Sequence, residues 1–170
     1  MKVKKFLKEW IPVLALALIL SLTIRSYVAE AMEVPSGSML PTIQIHDRLV
    51  VEKLPWDVKL SFQDIVVFYP PVANEDKRYV KRLIGLPGDT IEVKDGMLYR
   101  NGAAVDEPYI MEPMQYTFGP VEVPEEHYLF LGDNRNDSYD SHMWDTPFVS
   151  RDALVGKVLF DIPTHLLYGE

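Results

Sequence analysis

Residues 90–102 read Thr90-Ile91-Glu92-Val93-Lys94-Asp95-Gly96-Met97-Leu98-Tyr99-Arg100-Asn101-Gly102. Two short strand-like runs, Thr90–Lys94 and Met97–Arg100, are separated by Asp95-Gly96 and followed by Asn101-Gly102. Asp-Gly and Asn-Gly supply the positive φ angles that tight hairpin turns require, so the stretch predicts an antiparallel hairpin. The same pattern recurs on both sides. Arg48–Lys53, Ile65–Tyr69, Arg78–Ile84, His127–Leu131 and Ala153–Asp161 are β-branched runs bounded by turn residues. No long segment after residue 40 has helical periodicity, and the 13 prolines argue against a helical body. The expected fold is mainly β: one antiparallel domain with barrel-like closure. Residues 70–77 read as an exposed loop and residues 106–124 as a longer excursion. There is no internal repeat.

The chain has 170 residues, enough for an anchor plus one domain of about 140 residues with a core of its own. It has no cysteine, which excludes thiol catalysis, thiolate metal sites and disulfides. Charge is unevenly distributed. Four of the 17 basic residues and one of the 25 acids fall in residues 1–9, which leaves 13 basic against 24 acidic groups, or −11, for the rest. Such a body is repelled by nucleic acid and by anionic lipid.

Trp10 to Ile24 carries no charge, and Arg25 interrupts the run. Extended to Ala29, with the Arg25 head reaching for the interface, it has the roughly 20 residues that a membrane span needs. Lys2, Lys4, Lys5 and Lys8 precede it and predict a cytoplasmic N-terminus. The expected organisation is a basic N-terminus over 1–9, a transmembrane anchor over 10–29 and an extracytoplasmic catalytic domain over 30–170. A cleaved secretory signal ending at Ala29-Glu30-Ala31 fits the same residues. The anchor is preferred because the most distinctive turn begins three residues further on.

That turn is Val34-Pro35-Ser36-Gly37-Ser38-Met39-Leu40-Pro41-Thr42. Its prolines exclude helix interior and hold a hydroxyl in a stiff turn. Ser38 is the candidate nucleophile, the plain alternative being that Ser36 and Ser38 only form the turn. A serine needs a base. None of the four histidines has a setting that marks it as one. Lys81, in Tyr79-Val80-Lys81-Arg82-Leu83-Ile84-Gly85, shares a strand face with Tyr79 and Leu83. On an internal face its ammonium is desolvated and its pKa falls; a solvated strand lysine is the alternative. Gly132-Asp133-Asn134-Arg135-Asn136-Asp137-Ser138-Tyr139-Asp140-Ser141 is dense in turn residues but fails as a calcium loop, with Arg135, Ser138 and Trp144 at the third, sixth and twelfth positions. It remains a hydrogen-bonding loop with Asp133 and Asp140 available to Arg82.

Taken in order, these segments resemble the type I signal peptidases, membrane-bound Ser/Lys endopeptidases. The resemblance runs from the anchor to about Lys157, through the serine turn, Asp47-Arg48-Leu49-Val50-Val51, residues 79–89 and residues 132–138. It implies Ser38 as nucleophile, Lys81 as general base, and Ser36 with the Ser38 amide as oxyanion donors. It implies Ser138 as the residue that orients the lysine amine, and Arg82, Asp133 and Asp140 as bracing charges. Val34, Pro35, Met39, Tyr79 and Val80 fall near the pocket for small side chains. The implied substrate is the small-x-small end of a signal peptide on secretory preproteins, met at the outer face of the cytoplasmic membrane and cleaved through an acyl-enzyme, with no metal or cofactor. The single anchor and the short span from Lys81 to Gly132 resemble the compact Gram-positive-type members.

Three residues depart from the family pattern. His46 stands where glycine is usual, so a turn that needs glycine's φ freedom must shift. His142 replaces a common arginine, which makes its pairing to Asp140 pH-dependent. Asp145 also stands where glycine is usual. Two other functions are consistent with the sequence: a processing peptidase of the same family with a narrow client range, and an inactive membrane-anchored β module used for binding.

Overall fold

The structure, a computed structural model, describes residues 10–20, 29–53 and 59–164. Residues 10–20 form helix α1, which leaves Leu14, Leu16, Leu18 and Ile19 exposed. Among the described residues no helix is long and apolar enough to cross a membrane. The remainder of the expected anchor up to residue 28, and the lysines before it, lie outside the described residues. Ala29, assigned to the anchor, opens the first strand instead.

A seven-stranded antiparallel sheet carries most of the body. Its order is β1 (Ala29–Glu33), β2 (Arg48–Lys53), β11 (Leu154–Ile162), β3 (Ile65–Phe68), β4 (Tyr79–Gly85), β9 (His127–Leu131) and β10 (Val149–Ser150). No ladder joins the end strands β1 and β10 among the described residues, so the sheet curls without the expected closure. The end strand β10 is only two residues long, too short to stagger against a closing partner. A second sheet has the order β7 (Ala103–Ala104), β6 (Met97–Arg100), β5 (Thr90–Lys94) and β8 (Phe118–Glu122). The Asp95-Gly96 hairpin forms as read, with Lys94 opposite Met97 and Asp95 and Gly96 both at positive φ.

Four strands, β1, β7, β8 and β10, were not among the runs read from the sequence, and the two longer ones were hidden for physical reasons. Ala29–Glu33 has poor strand propensity and reads as the tail of an anchor, yet it pairs along its length with β2. Phe118–Glu122 contains Gly119-Pro120 and was expected as part of the excursion. Pro120 is tolerated because β8 is an edge strand. Between Ile91 and Val93, β8 spends one more residue than β5, as the pairs Ile91 with Val121 and Val93 with Phe118 show. Gly119, at φ +75°, makes that bulge.

Three apolar clusters fill the body. One lies between the two sheets around Ile84, Ile91, Leu98, Leu129 and Leu131. A second, with Phe68 stacked on Phe130 at 4.3 Å, lies beneath β3 and β9. The third joins Met39 and Ile43 to Leu49, Val51, Val67 and Val80, and so fastens the serine turn to the large sheet. At about 2 kcal/mol for each fully buried aliphatic side chain, Met39 and Ile43 alone hold the turn firmly.

Gly119→Ala is expected to destabilise the fold by about 2–4 kcal/mol. Its methyl would overlap the Ile91 carbonyl oxygen and come within 2.9 Å of the Val121 amide, at a φ that alanine resists. Chemical denaturation of the two proteins checks this.

Candidate active site

The serine turn is tied at both ends. Val34 N–H donates to Asp47 O at 3.0 Å, and His46 N–H donates back to Val34 O at 2.8 Å. Inside it, Leu40 N–H donates to Gly37 O and Ile43 N–H to Met39 O. The buried Asp47 accepts from Gln44 N–H at 2.9 Å and from Thr164 N–H at 3.0 Å. His46 adopts at φ +71° the left-handed conformation that glycine reaches freely. Its Nδ1 lies 2.9 Å from Glu33 Oε1 on β1.

The side chain of Lys81 leaves β4 toward this turn and donates from Nζ to Ser38 Oγ at 2.5 Å. Every residue of β4 after Tyr79 is buried, and Lys81 is only 4% exposed. Burial pulls its pKa from the ordinary 10.5 down to about 8, against the opposing pull of Asp140 and Asp133. A substantial fraction of the amine is therefore neutral near pH 8, and a neutral amine 2.5 Å from a hydroxyl can take its proton. Ser36 Oγ lies 3.5 Å from Ser38 Oγ.

The loop after β9 holds both partners in place. Arg82 grips Asp133 with two bonds, Nε to Oδ1 at 2.7 Å and Nη2 to Oδ2 at 2.5 Å. Thr42 Oγ1 donates to the same Oδ2 at 2.5 Å. Asn134 donates from its backbone to Ser38 O at 3.1 Å and from its side chain to Gly37 O at 3.2 Å. The loop passes so close to the turn that a methyl on Gly132 would overlap both Ser38 O and Ser138 Oγ. Only glycine permits that approach.

Most of the expected residues converge. Val34, Pro35, Ser36, Ser38, Met39, Tyr79, Val80 and Lys81 line one cleft of about 530 Å³, with Glu75, Lys77, Arg78, Asp137 and Tyr139 along the remaining wall. Two expectations need correction. Asp140 does not serve Arg82: its Oδ2 accepts from Gly132 N–H at 2.8 Å, and its Oδ1 lies 2.7 Å from His142 Nδ1. Arg82 turns to Asp133 and Gln63 O instead, each of its three nitrogens donating to one of them. Ser138 Oγ is buried but has no hydrogen-bond partner among the described residues, so its expected bond to Lys81 is not formed; Lys81 Nζ engages Ser38 instead. The expected pairing of His142 with Asp140 is present, and Tyr116 stacks on the His142 ring at 3.9 Å. Sequence reasoning gave no role to Thr42, Asn134 or Gly132. All three stood inside quoted motifs, but nothing local showed that those motifs meet. Among the described residues there is no group of three or more His, Asp or Glu side chains able to hold a metal.

Residues 7–162 match the family described as signal peptidase, peptidase S26. The chain belongs to that family. It is 49% identical over 146 residues to a probable signal peptidase I-2 of Synechocystis sp., which covers 83% of this chain and 66% of that one. It is 38% identical over 150 residues to signal peptidase I S of Bacillus subtilis, which covers 81% of this chain and 79% of the relative. The crystal structure of a signal peptidase I from Enterococcus faecalis superposes with a TM-score of 0.52 at 36% identity, over 61% of this chain and 98% of that one. The activity of the family is that of a serine endopeptidase that cleaves signal peptides.

The buried lysine makes a stability prediction. The unfolded chain holds the Lys81 proton up to about pH 10.5 and the folded chain releases it near 8, so the unfolded state binds more protons in between. Stability therefore rises with pH across that window, and the full cost, roughly 3 kcal/mol, is present below pH 8. Lys81→Met is expected to stabilise the protein by about that amount at pH 7, and to lose most of the advantage by pH 10.5. Denaturant unfolding at the two pH values measures it.

Proposed function

We propose that Ser38 and Lys81 are the catalytic pair of this signal peptidase. The observation that carries the reading is the 2.5 Å contact between Ser38 Oγ and a lysine amine stripped of water. Neutral Lys81 takes the Ser38 proton as Oγ attacks the scissile carbonyl. The Ser38 N–H and the Ser36 hydroxyl donate to the oxyanion, each such donor being worth a few kcal/mol. The Lys81 ammonium then protonates the departing amine, which leaves an acyl ester on Ser38. Lys81, neutral again, deprotonates the water that hydrolyses the ester.

The apolar walls of the cleft, Val34, Met39 and Val80, suit small side chains, in keeping with a small-x-small signal-peptide end on secretory preproteins. An anchor beginning at residue 10 and ending before β1 would hold the cleft at the outer membrane surface, with the N-terminus in the cytoplasm. The exposed apolar side chains of α1 and the four lysines before it support this topology.

Ser38→Ala and Lys81→Ala are each expected to abolish preprotein cleavage while the circular-dichroism spectrum and the melting transition persist. In the unmodified protein log kcat/KM should rise with pH at unit slope and level off near pH 8, since only the neutral amine is a base. A profile that stays flat between pH 6 and 9, or activity in either alanine variant, would remove the assignment.

A further inference from the structure

Residues 106–114, expected only as part of a surface excursion, bring Glu107 and Tyr109 behind the loop that carries Asp133. Arg135 is 1% exposed and donates from Nη1 and Nη2 to Glu107 Oε2 and Oε1 at 2.8 and 2.7 Å. Its Nε donates to Gly132 O at 2.9 Å. Tyr109 donates from its hydroxyl to Glu107 Oε1 at 2.7 Å. The Tyr109 ring lies against Arg82, with the guanidinium carbon 3.9 Å from the ring centroid, and the Arg135 carbon is 5.9 Å away. Burial first, and then the charge of Glu107, raise the pKa of the phenol, which keeps it protonated and donating.

We propose that Tyr109, held by Glu107, is a positioning residue for the Ser38–Lys81 pair: it keeps Arg82 on Asp133 and Arg135 on Gly132, so that the 132–134 loop seats the serine turn. The inference rests on the proposed catalytic pair. The Arg82 nitrogens are all engaged in its plane, by Asp133 and by Gln63 O, so a flat ring is the shape that closes its face. One path of contacts runs from Tyr109 to Arg82, to Asp133 and to Thr42 in the turn. The other runs from Glu107 to Arg135 and Gly132, two residues before Asn134, which holds Ser38 O. Both paths end on the turn that aims Ser38 at Lys81. A misplacement of an ångström there can cost about a hundredfold in rate.

The test is steady-state cleavage of a peptide with a small-x-small site by the full chain in detergent. Variants Tyr109→Leu, Tyr109→Phe and Glu107→Gln are compared with Lys81→Ala, and melting is recorded for each. Tyr109→Leu should lower kcat about tenfold or more with KM within about twofold. The midpoint of its pH rise should move upward, because an Asp133 carboxylate less engaged by Arg82 favours the Lys81 ammonium more strongly. Tyr109→Phe keeps the ring and should stay within about threefold of the parent. Glu107→Gln keeps the shape, removes the charge facing Arg135, and should show the same kcat-selective loss should Tyr109→Leu fail to fold. Parental kcat and pH midpoint in the folded variants, a Phe variant as impaired as the Leu variant, or a loss that vanishes well below each variant's melting temperature would overturn the proposal. If Lys81→Ala keeps its activity, the catalytic pair itself is wrong; if it is inactive and the Tyr109 and Glu107 variants are normal, only the positioning role fails.

Discussion

The constraint on which the rest of the structure depends is the burial of one ammonium group. A lysine amine serves as a base near neutral pH only if water is kept from it, and Lys81 lies on a strand of the large sheet that is buried on both faces. Strand β4 has β3 on one side and β9 on the other, with the inter-sheet cluster against Ile84 and the Phe68–Phe130 cluster against Leu83. The side chain is therefore extended through packed surroundings to a single hydroxyl. Desolvation works against the fold by roughly 3 kcal/mol at neutral pH. Against a net stability of about 5–15 kcal/mol, that sum has to be offset elsewhere.

The offset lies in how the charges around Lys81 are used. Asp133 carries two arginine bonds and a threonine bond and has no exposed surface. A carboxylate so engaged is held at a fixed place. It is committed to Arg82 and Thr42, so it acts on Lys81 through the field alone and leaves the amine to Ser38. Asp140 is committed in the same way to the Gly132 amide and to His142. A free carboxylate beside Lys81 would pair with its ammonium and hold on the amine the proton that the reaction needs to move. The arrangement keeps both acids near the lysine and occupied with other groups.

Much of this was legible in the sequence because it depends on short-range chemistry. Asp95-Gly96 determines a hairpin, Pro35 and Pro41 stiffen a turn, and alternation in residues 79–83 puts Lys81 beside Tyr79 and Leu83 on one face. What was not legible depends on which segments meet. Phe118–Glu122 is a strand because β5 offers it a ladder and Gly119 makes the bulge, not because its residues favour extension. Thr42 matters because Asp133, 91 positions later, points at it. Glu107 and Tyr109 sit in a segment whose prolines and methionines suggest only an excursion, and their partners come from elsewhere, Arg135 from the short 3-10 helix after β9 and Arg82 from the middle of β4. The bond expected from Ser138 to Lys81 was inferred from resemblance alone, and the geometry does not form it, just as it does not pair Asp140 with Arg82.

The departures from the family pattern show how tightly the turn is held. Glycine before Asp47-Arg48 would reach positive φ freely, whereas His46 reaches it at a steric cost of about 1 kcal/mol. The turn keeps its shape because its other restraints are stronger: two backbone bonds to Val34, the Asp47 carboxylate under Gln44, and Met39 and Ile43 in the core. His46 also gains a contact with Glu33, which joins the turn to β1, the strand that leads in from the N-terminal segment. A substitution that would loosen an isolated loop therefore leaves Ser38 in place, since the position of the nucleophile is set by buried side chains on both sides of it and by the loop that lies across its carbonyl.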